Sequence, residues 1–354
     1  MKYLFILGRN PELSKAEIKA LLGNVIIAER ENAVLVEVGE PIEGGFVDRL
    51  GGTVVIGIVV DFDRFVYEGE SNKLTYVVWD YSARTSEFED ELKKRFRADK
   101  MKVTQKKISG LIDLQGGGEV SNLSSRKLID EEYFVFDSKD RTYFGVIVQR
   151  SSHEDLEARD MNKPVRREEL SISPRLAKIM INLSGVQEGQ KLVDPFCGIG
   201  VILSEALIQD LKVIGIDKDK SAIDGAVQNL KWFNFSEDDY VLVNEDSRRA
   251  RINRANVVVT EPNLGKILKK MPTSAQTKKT LDEFENLIVK VFNNLKKKVK
   301  GRFVFSAPLF KTIDGRKGCS IVRIASKTEM KIVIDGIPEF RKDQIVGREI
   351  FVLE

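Results

Sequence analysis

Lys191-Leu192-Val193-Asp194-Pro195-Phe196-Cys197-Gly198-Ile199-Gly200-Val201-Ile202-Leu203 is the stretch on which the fold turns. Lys191-Leu192-Val193 reads as a short buried strand, and Asp194 to Ile208 as a strand end, a loop and a helix. Gly198 and Gly200 remove side chains where a ligand must approach the backbone. A dinucleotide fingerprint needs a third glycine at position 203, and Leu203 stands there, which weakens a nicotinamide or flavin reading. An acid at the start of the loop suits a ligand bearing an ammonium group better than a pyrophosphate.

Working outward, Leu176, Ile179, Met180 and Leu183 fall at helical spacing and lead into the strand. Downstream come a strand at Val213–Ile216, a helix at Ser221–Phe233, and strands at Tyr240–Val243 and Val257–Thr260. A helix at Leu281–Lys297 and strands at Arg302–Ser306, Ser320–Ala325 and Met330–Ile334 follow. Alternating strands and helices with continuous apolar strands predict a doubly wound, mostly parallel α/β sheet, which binds ligands at the carboxyl ends of its strands. The second strand ends in Asp217, placed to accept from a ribose diol; the third ends Asn244-Glu245-Asp246, where Asp246 is placed to accept from an adenine amino group. A ligand with an aminoacyl group, a ribose and an adenine is S-adenosylmethionine.

The first 150 residues have another character. Tyr3–Leu7 reads as a strand, Gly8-Arg9-Asn10-Pro11 as a turn, and Ser14 with Glu17 as a capping box opening a helix over Lys15–Leu22. Strands at Val25–Ala28, Ala33–Val38 and Val54–Val60 complete one small α+β unit. A strand at Leu74–Tyr81, a basic helix at Glu87–Arg97 and a hairpin of Phe134–Asp137 with Tyr143–Gln149 form a second. Residues 151–172 are charged, lack apolar periodicity and read as a linker.

Net charge is +3, unevenly spread: residues 1–160 carry 23 basic and 29 acidic side chains, residues 161–354 carry 34 and 25. A polyanion is drawn mainly to the second half. One exception is the run Lys93, Lys94, Arg95, Arg97, Lys100, Lys102, Lys106 and Lys107, interrupted by the single acid Asp99. A solvated helix face and a phosphate-binding surface both account for it. Cys197 and Cys319 are far apart and His153 is the single histidine, so no zinc site of the usual type is expected. The composition reads as a disulfide-free cytoplasmic protein with neither an export signal nor a membrane span.

The loop Asp194-Pro195-Phe196-Cys197-Gly198-Ile199-Gly200 resembles the S-adenosylmethionine loop of the tRNA guanine-N2 methyltransferases acting at position 10. Ser173 to Leu183, opening Ser173-Pro174, resembles the motif before that loop, which in the family helps hold the cofactor's methionine end. Phe5 to Ser14 and Gln344-Ile345-Val346-Gly347-Arg348-Glu349 resemble the family's two ends. The resemblance implies a Rossmann-like methyltransferase domain (173–354) behind a ferredoxin-like lead-in (1–60), a THUMP RNA-binding module (61–150) and a linker (151–172). It implies cofactor contacts from Pro174, Asp194, Pro195, Phe196, Cys197, Gly198, Gly200, Asp217 and Asp246. It also raises Lys93, Lys94, Arg95, Arg97, Lys106 and Lys107 as RNA contacts, tRNA as partner, and a small activating subunit of the kind some relatives use; membrane and metal are expected to play no part.

One loop departs from the family pattern. After the fourth strand, relatives carry an acid or Asn, two prolines and an aromatic residue; here the sequence is Glu261-Pro262-Asn263-Leu264. The loop's task is to accept the N–H bonds of guanine N2, whose lone pair is delocalised into the ring, and to cover the flipped base. Glu261 keeps the acceptor on a longer stem, Asn263 offers an amide, and Leu264 replaces an aromatic face. An active enzyme with Glu261 as acceptor and an RNA-binding protein with a degenerate methyltransferase domain both fit this variant loop. An enzyme for another amino group, in adenine or glutamine, would leave the first half unexplained.

Overall fold

The computed structural model describes the chain except residues 109, 116–118, 123–127, 168–171, 266–267 and 269. It divides into two compact units, Met1–Ser152 and His153–Glu354.

In the first unit, strands β1 (Lys2–Leu7), β2 (Ile26–Arg30), β3 (Ala33–Glu37), β4 (Thr53–Val60), β5 (Lys73–Tyr81), β6 (Lys102–Gln105), β7 (Gly110–Asp113), β8 (Glu119–Asn122), β9 (Glu131–Asp137) and β10 (Thr142–Arg150) alternate with α1 (Pro11–Leu22), α2 (Phe46–Arg49) and α3 (Thr85–Ala98). Eight of the strands form one sheet in the order β2-β3-β1-β4-β10-β9-β5-β6; β7 and β8 pair separately. The boundary expected at 60/61 therefore lies inside a continuous sheet, where β4 pairs with β10 at Ile58 and Val146. Alternation of side chains sends Tyr3, Phe5 and Leu7 to the α1 side, and Leu4 and Ile6 to the opposite face beside Trp79 and Phe134. Both faces are covered, so β1 reads as an unbroken apolar run. A separate cluster of Leu74, Tyr76, Leu92, Phe96 and Tyr133 packs α3 onto the sheet.

The capping box expected at Ser14 and Glu17 is not what the structure forms. The helix starts at Pro11 with Asn10 as its cap, whose side chain accepts from Leu13 N at 3.1 Å. Ser14 and Glu17 are buried inside it: Ser14 Oγ donates to Gly52 O at 2.9 Å, and the Glu17 carboxylate accepts from Gly51 N and Gly52 N, each at 2.8 Å. They fasten the turn before β4 to the helix. A Cβ on Gly52 would lie 2.4 Å from Ser14 Oγ and 2.9 Å from Ser14 Cα. Gly52→Ala is therefore expected to destabilise this unit by about 1–3 kcal/mol, the usual cost of overpacking, read as a lowered thermal midpoint. A midpoint unchanged within 1 °C or so would show that the turn can retreat from the helix.

The second unit runs α4 (His153–Met161), α5 (Pro174–Leu183), β11 (Lys191–Asp194), α6 (Val201–Leu207), β12 (Lys212–Ile216), α7 (Lys220–Trp232), β13 (Tyr240–Val243), β14 (Val257–Thr260), α8 (Ser274–Leu295), β15 (Phe303–Thr312), β16 (Gly315–Lys317), α9 (Ile321–Thr328), β17 (Ile332–Glu339) and β18 (Val346–Leu353). Its sheet order is β13-β12-β11-β14-β15-β18-β17. The first five strands in that order are parallel, whereas β18 is antiparallel to both β15 and β17. Chain order reverses between β11 and β14, so a crevice opens at their carboxyl ends, beside Asp194 and Thr260.

Two segments differ from expectation. Ser320–Ala325, read as a strand, is the start of α9: Ser320 caps it, and Ile321, Ile324, Ala325 and Thr328 bury one face. Those positions carry helical spacing, outweighed in a short apolar reading by the run Ile321-Val322. Within 151–172, residues 153–161 are helical, anchored by buried Leu156 and by Arg159, 3.6 Å from buried Glu205. One apolar anchor in nine residues leaves no periodic signal. The side chain of His153 lies outside the described residues.

Candidate active site

A cavity of about 710 Å³ opens at the reversal point, lined by the loop after β11, the ends of β12 and β13, the loop after β14, and Gln344, Ile345, Val346 and Arg348. Asp194 sits at its floor, 1 % exposed; its Oδ1 accepts from Thr260 Oγ1 at 2.6 Å and from Phe196 N at 3.1 Å. Burial pushes the Asp194 carboxyl up to about 7, reinforced by the charges of Asp217 and Glu261 and opposed by those two hydrogen bonds. Cys197 is 5 % exposed and burial pushes its thiol far up, so it carries no nucleophilic thiolate.

Gly198 has φ +51°, and a Cβ there would meet nothing within 4 Å. The backbone at that point faces open space, as a ligand's approach requires. Gly198 N donates to Asp217 Oδ2 at 3.0 Å, and Asp219 N donates to Asp217 Oδ1 at 2.9 Å. Asp217 therefore braces the loop with one lone pair of each oxygen and keeps further acceptor capacity for a diol. Asp246 also reaches the cavity, but the Arg248 guanidinium binds it and holds its carboxyl down to about 2. Both side chains line the pocket, so a ligand amino group must share Asp246 with that guanidinium or displace it.

Glu261, at the end of β14, is 8 % exposed at its side chain. Its Oε1 accepts from Arg348 Nε and from Ser306 Oγ (3.3 Å), and its Oε2 from Arg348 Nη2 at 3.4 Å. The partner comes from β18, 87 residues away, and both groups line the cavity. Buried Pro262, Asn263 and Leu264 all line the cavity, and the Asn263 side-chain oxygen accepts from Gly265 N at 2.8 Å.

Three predicted cofactor residues stand elsewhere. Pro174 opens α5 behind the loop and lines a separate small depression with Glu205 and Asn229; Ile172 takes the place facing the cavity. Pro195 and Gly200 shape the loop from underneath: Pro195 O accepts from Ser247 Oγ, and Gly200 N donates to Cys197 O at 2.8 Å. Phe196 both lines the cavity and packs onto the core. Sequence reading missed Asn229, whose side chain accepts from Val165 N and donates to Val165 O and Ile199 O, tying the segment before α5 to the loop. Arg167 also lines the cavity, where it binds Asp219 Oδ2 at 3.1 Å and Ser221 Oγ at 2.6 Å.

In the first unit the basic run is partly spent on its own fold. Arg95 binds Phe62 O, sits 4.3 Å over the Phe62 ring and pairs with Glu91, so it pins the helix rather than facing solvent. Lys93 and Lys94 lie 3.7 Å from Asp90 and 3.6 Å from Glu91 along the helix. Arg97 and Lys107 are exposed and Lys106 is half-buried. Among the described residues no acid, Cys and His cluster fits a metal ion, and no helix is long and apolar enough to cross a membrane.

S-adenosylmethionine fits the donor set: an acid at each of three strand ends and a side-chain-free approach at Gly198. The doubly wound sheet with this cavity defines a Rossmann-like, S-adenosylmethionine-dependent methyltransferase. The family model described as "RMKL-like, methyltransferase domain" matches residues 163–306. The structure of TrmN from Thermus thermophilus superposes with a TM-score of 0.51 at 14% identity, over 100% of this chain and 99% of that one, a likeness of fold. In sequence the chain is 32% identical to the "Probable tRNA (guanine(10)-N2)-dimethyltransferase" of Methanothermococcus thermolithotrophicus, over 38% of this chain and 79% of that protein. It is 28% identical to the tRNA (guanine(10)-N2)-dimethyltransferase of Pyrococcus abyssi, over 71% of this chain and 73% of that protein. The chain belongs to this family of tRNA guanine-N2 methyltransferases. Its matches span from 28% to 79% of the curated relatives' own lengths.

Proposed function

We propose that the protein methylates N2 of a guanosine in tRNA, at position 10, with S-adenosylmethionine as methyl donor. The observation that carries this reading is the Glu261 carboxylate on the wall of the same cavity as Gly198, Asp194 and Asp217. When bound, S-adenosylmethionine supplies an electrophilic methyl on a sulfonium. Asp194 and the Gly198 approach hold the aminoacyl end, and Asp217 accepts from the ribose. Glu261 accepts an N–H of guanine N2, which localises the nitrogen lone pair for attack. Transfer of that methyl to N2, with the sulfur leaving as the thioether, would make the nitrogen strongly acidic, and Glu261 or water would take its proton. Leu264 covers the flipped base by apolar contact. Residues 61–150 serve as the RNA-gripping THUMP module, with Arg97, Lys94 and Lys107 toward phosphate, where each neutralised phosphate releases counterions.

A second reading, an RNA-binding protein without transfer, draws on the Arg348–Glu261 pair, which already occupies the carboxylate. Tritium transfer from labelled cofactor into unmodified tRNA, followed by nucleoside mass spectrometry, separates the two. Label in an N2-methylated guanosine at position 10, mono- or dimethylated, is the expected result. Salt-sensitive tRNA binding without label would establish the second reading.

The Asp194 carboxyl gives a pH prediction. Its value stands near 7 against 3.8 in an unfolded chain, so between those pH values the unfolded chain has released a proton that the fold retains. Stability from this group is therefore lost as pH rises through that window. A ligand ammonium beside Asp194 favours its charged form and reverses the loss. The rise in melting temperature on adding S-adenosylmethionine is expected to be larger at pH 7.5 than at pH 5.5 (values chosen to flank the transition, ~7). Equal rises would place the ammonium away from Asp194.

A further inference from the structure

We infer that Arg348 is a specificity-determining residue that reads O6 of the target guanine. The inference rests on the N2-methylation reading and extends it from the acceptor of the N–H bonds to the choice of base.

Arg348 lines the cavity beside Glu261, with its side chain 21% exposed. Nε and Nη2 are directed to the two Glu261 oxygens, while Nη1 has no partner among the described residues. Glu261 is unevenly engaged. Oε1 takes Arg348 Nε and Ser306 Oγ, whereas Oε2 takes a single contact at 3.4 Å and has acceptor capacity left. The wall thus offers guanidinium N–H donors immediately next to carboxylate acceptors.

Guanine presents the complementary series on its pairing edge: O6 accepts, N1–H donates and the N2 amino group donates. With an N2–H on Oε2, the Glu261 oxygen that has acceptor capacity left, the neighbouring guanidinium is the donor for O6. Adenine shows a donor where guanine has O6 and an acceptor at N1, which sets donor against donor and acceptor against acceptor. A planar fork bonded along one side to a carboxylate is also fixed in orientation, so little freedom is lost when it meets a base. Selection of this kind is strong, because an analogue lacking the bonded group leaves a partly buried N–H donor without its partner. The same ion pair that neutralises Glu261 thereby becomes the base-reading element.

The test uses the full-length protein and two tRNA transcripts, one with guanosine and one with 2-aminopurine at the target position. 2-Aminopurine keeps the amino group and loses O6 and N1–H. Wild type is expected to methylate the guanosine transcript at least about 100-fold faster in kcat/KM. In Arg348→Gln that ratio is expected to shrink at least tenfold, and in Arg348→Lys to be intermediate. A purely structural role lowers both substrates alike and leaves the ratio unmoved, which overturns the inference. Wild type acting equally on both transcripts overturns it as well, without need of a variant that folds. Absence of label from the guanosine transcript with wild type sinks the N2-methylation reading itself, and the inference falls with it.

Discussion

Glu261→Gln will slow methyl transfer to tRNA by about 100-fold or more, the usual range for loss of a positioned proton acceptor. Glutamine keeps the volume and one oxygen for Arg348 Nε and Ser306 Oγ, so the surrounding wall is preserved. What it loses is the second acceptor: the Oε2 position becomes an NH₂ group facing both a guanidinium and the base's own N–H donors. Cofactor affinity is expected within about twofold of wild type, because Gly198, Asp194 and Asp217 are untouched; twofold is roughly 0.4 kcal/mol. Single-turnover tritium transfer with saturating cofactor measures the chemical step. A rate within a few-fold of wild type would remove Glu261 from the chemistry and leave the nitrogen with some other acceptor. Glu261→Ala is the less informative change, since it strands Arg348 as an uncompensated charge beside the sheet.

Asn229→Ala is expected to lower the melting temperature of the second unit more than any other single polar truncation outside the cavity. The Asn229 side chain is 2 % exposed and satisfies Val165 N, Val165 O and Ile199 O at 2.9, 3.1 and 3.0 Å. Leaving buried backbone groups unsatisfied costs about 1–3 kcal/mol each. For a total near 3 kcal/mol, a unit of this size loses roughly 6–12 °C. Because Ile199 sits between the two loop glycines, cofactor affinity should fall as well. Scanning calorimetry with and without S-adenosylmethionine reads both effects. A shift under about 2 °C, less than 1 kcal/mol, would show that residues 163–167 are held by other bonds.

The loop from Asp194 to Gly200 was legible because its signal is local: strand, acid, two glycines, helix. Asp217 and Asp246 follow from the same logic applied at the next two strand ends, and the parallel order of β13 to β15 from the alternation of apolar strands with helices. What escaped depends on partners distant in sequence. Arg348 lies in a quoted motif, yet nothing local says that it will face Glu261; only the antiparallel insertion of β18 beside β15 brings the two together. Asn229 looks like any polar residue of an amphipathic helix until Val165 and Ile199 arrive against it. Ser14 and Glu17 have the spacing of a capping box, and three-residue spacing equally suits a buried pair reaching one turn. Pro174 is a helix-opening residue, and that local role hid the fact that its neighbour Ile172 is the one toward the cavity.

The pairing of β18 with β15 sets an order on biosynthesis. During translation the cofactor loop, its bracing Asp217 and the Glu261 segment all leave the ribosome before residue 348. Until β18 pairs with β15, such a nascent chain lacks Gln344, Ile345, Val346 and Arg348 from the cavity lining, and Glu261 stands without the Arg348 counter-charge. β18 is thus the strand that completes the cavity lining and brings the counter-charge to Glu261.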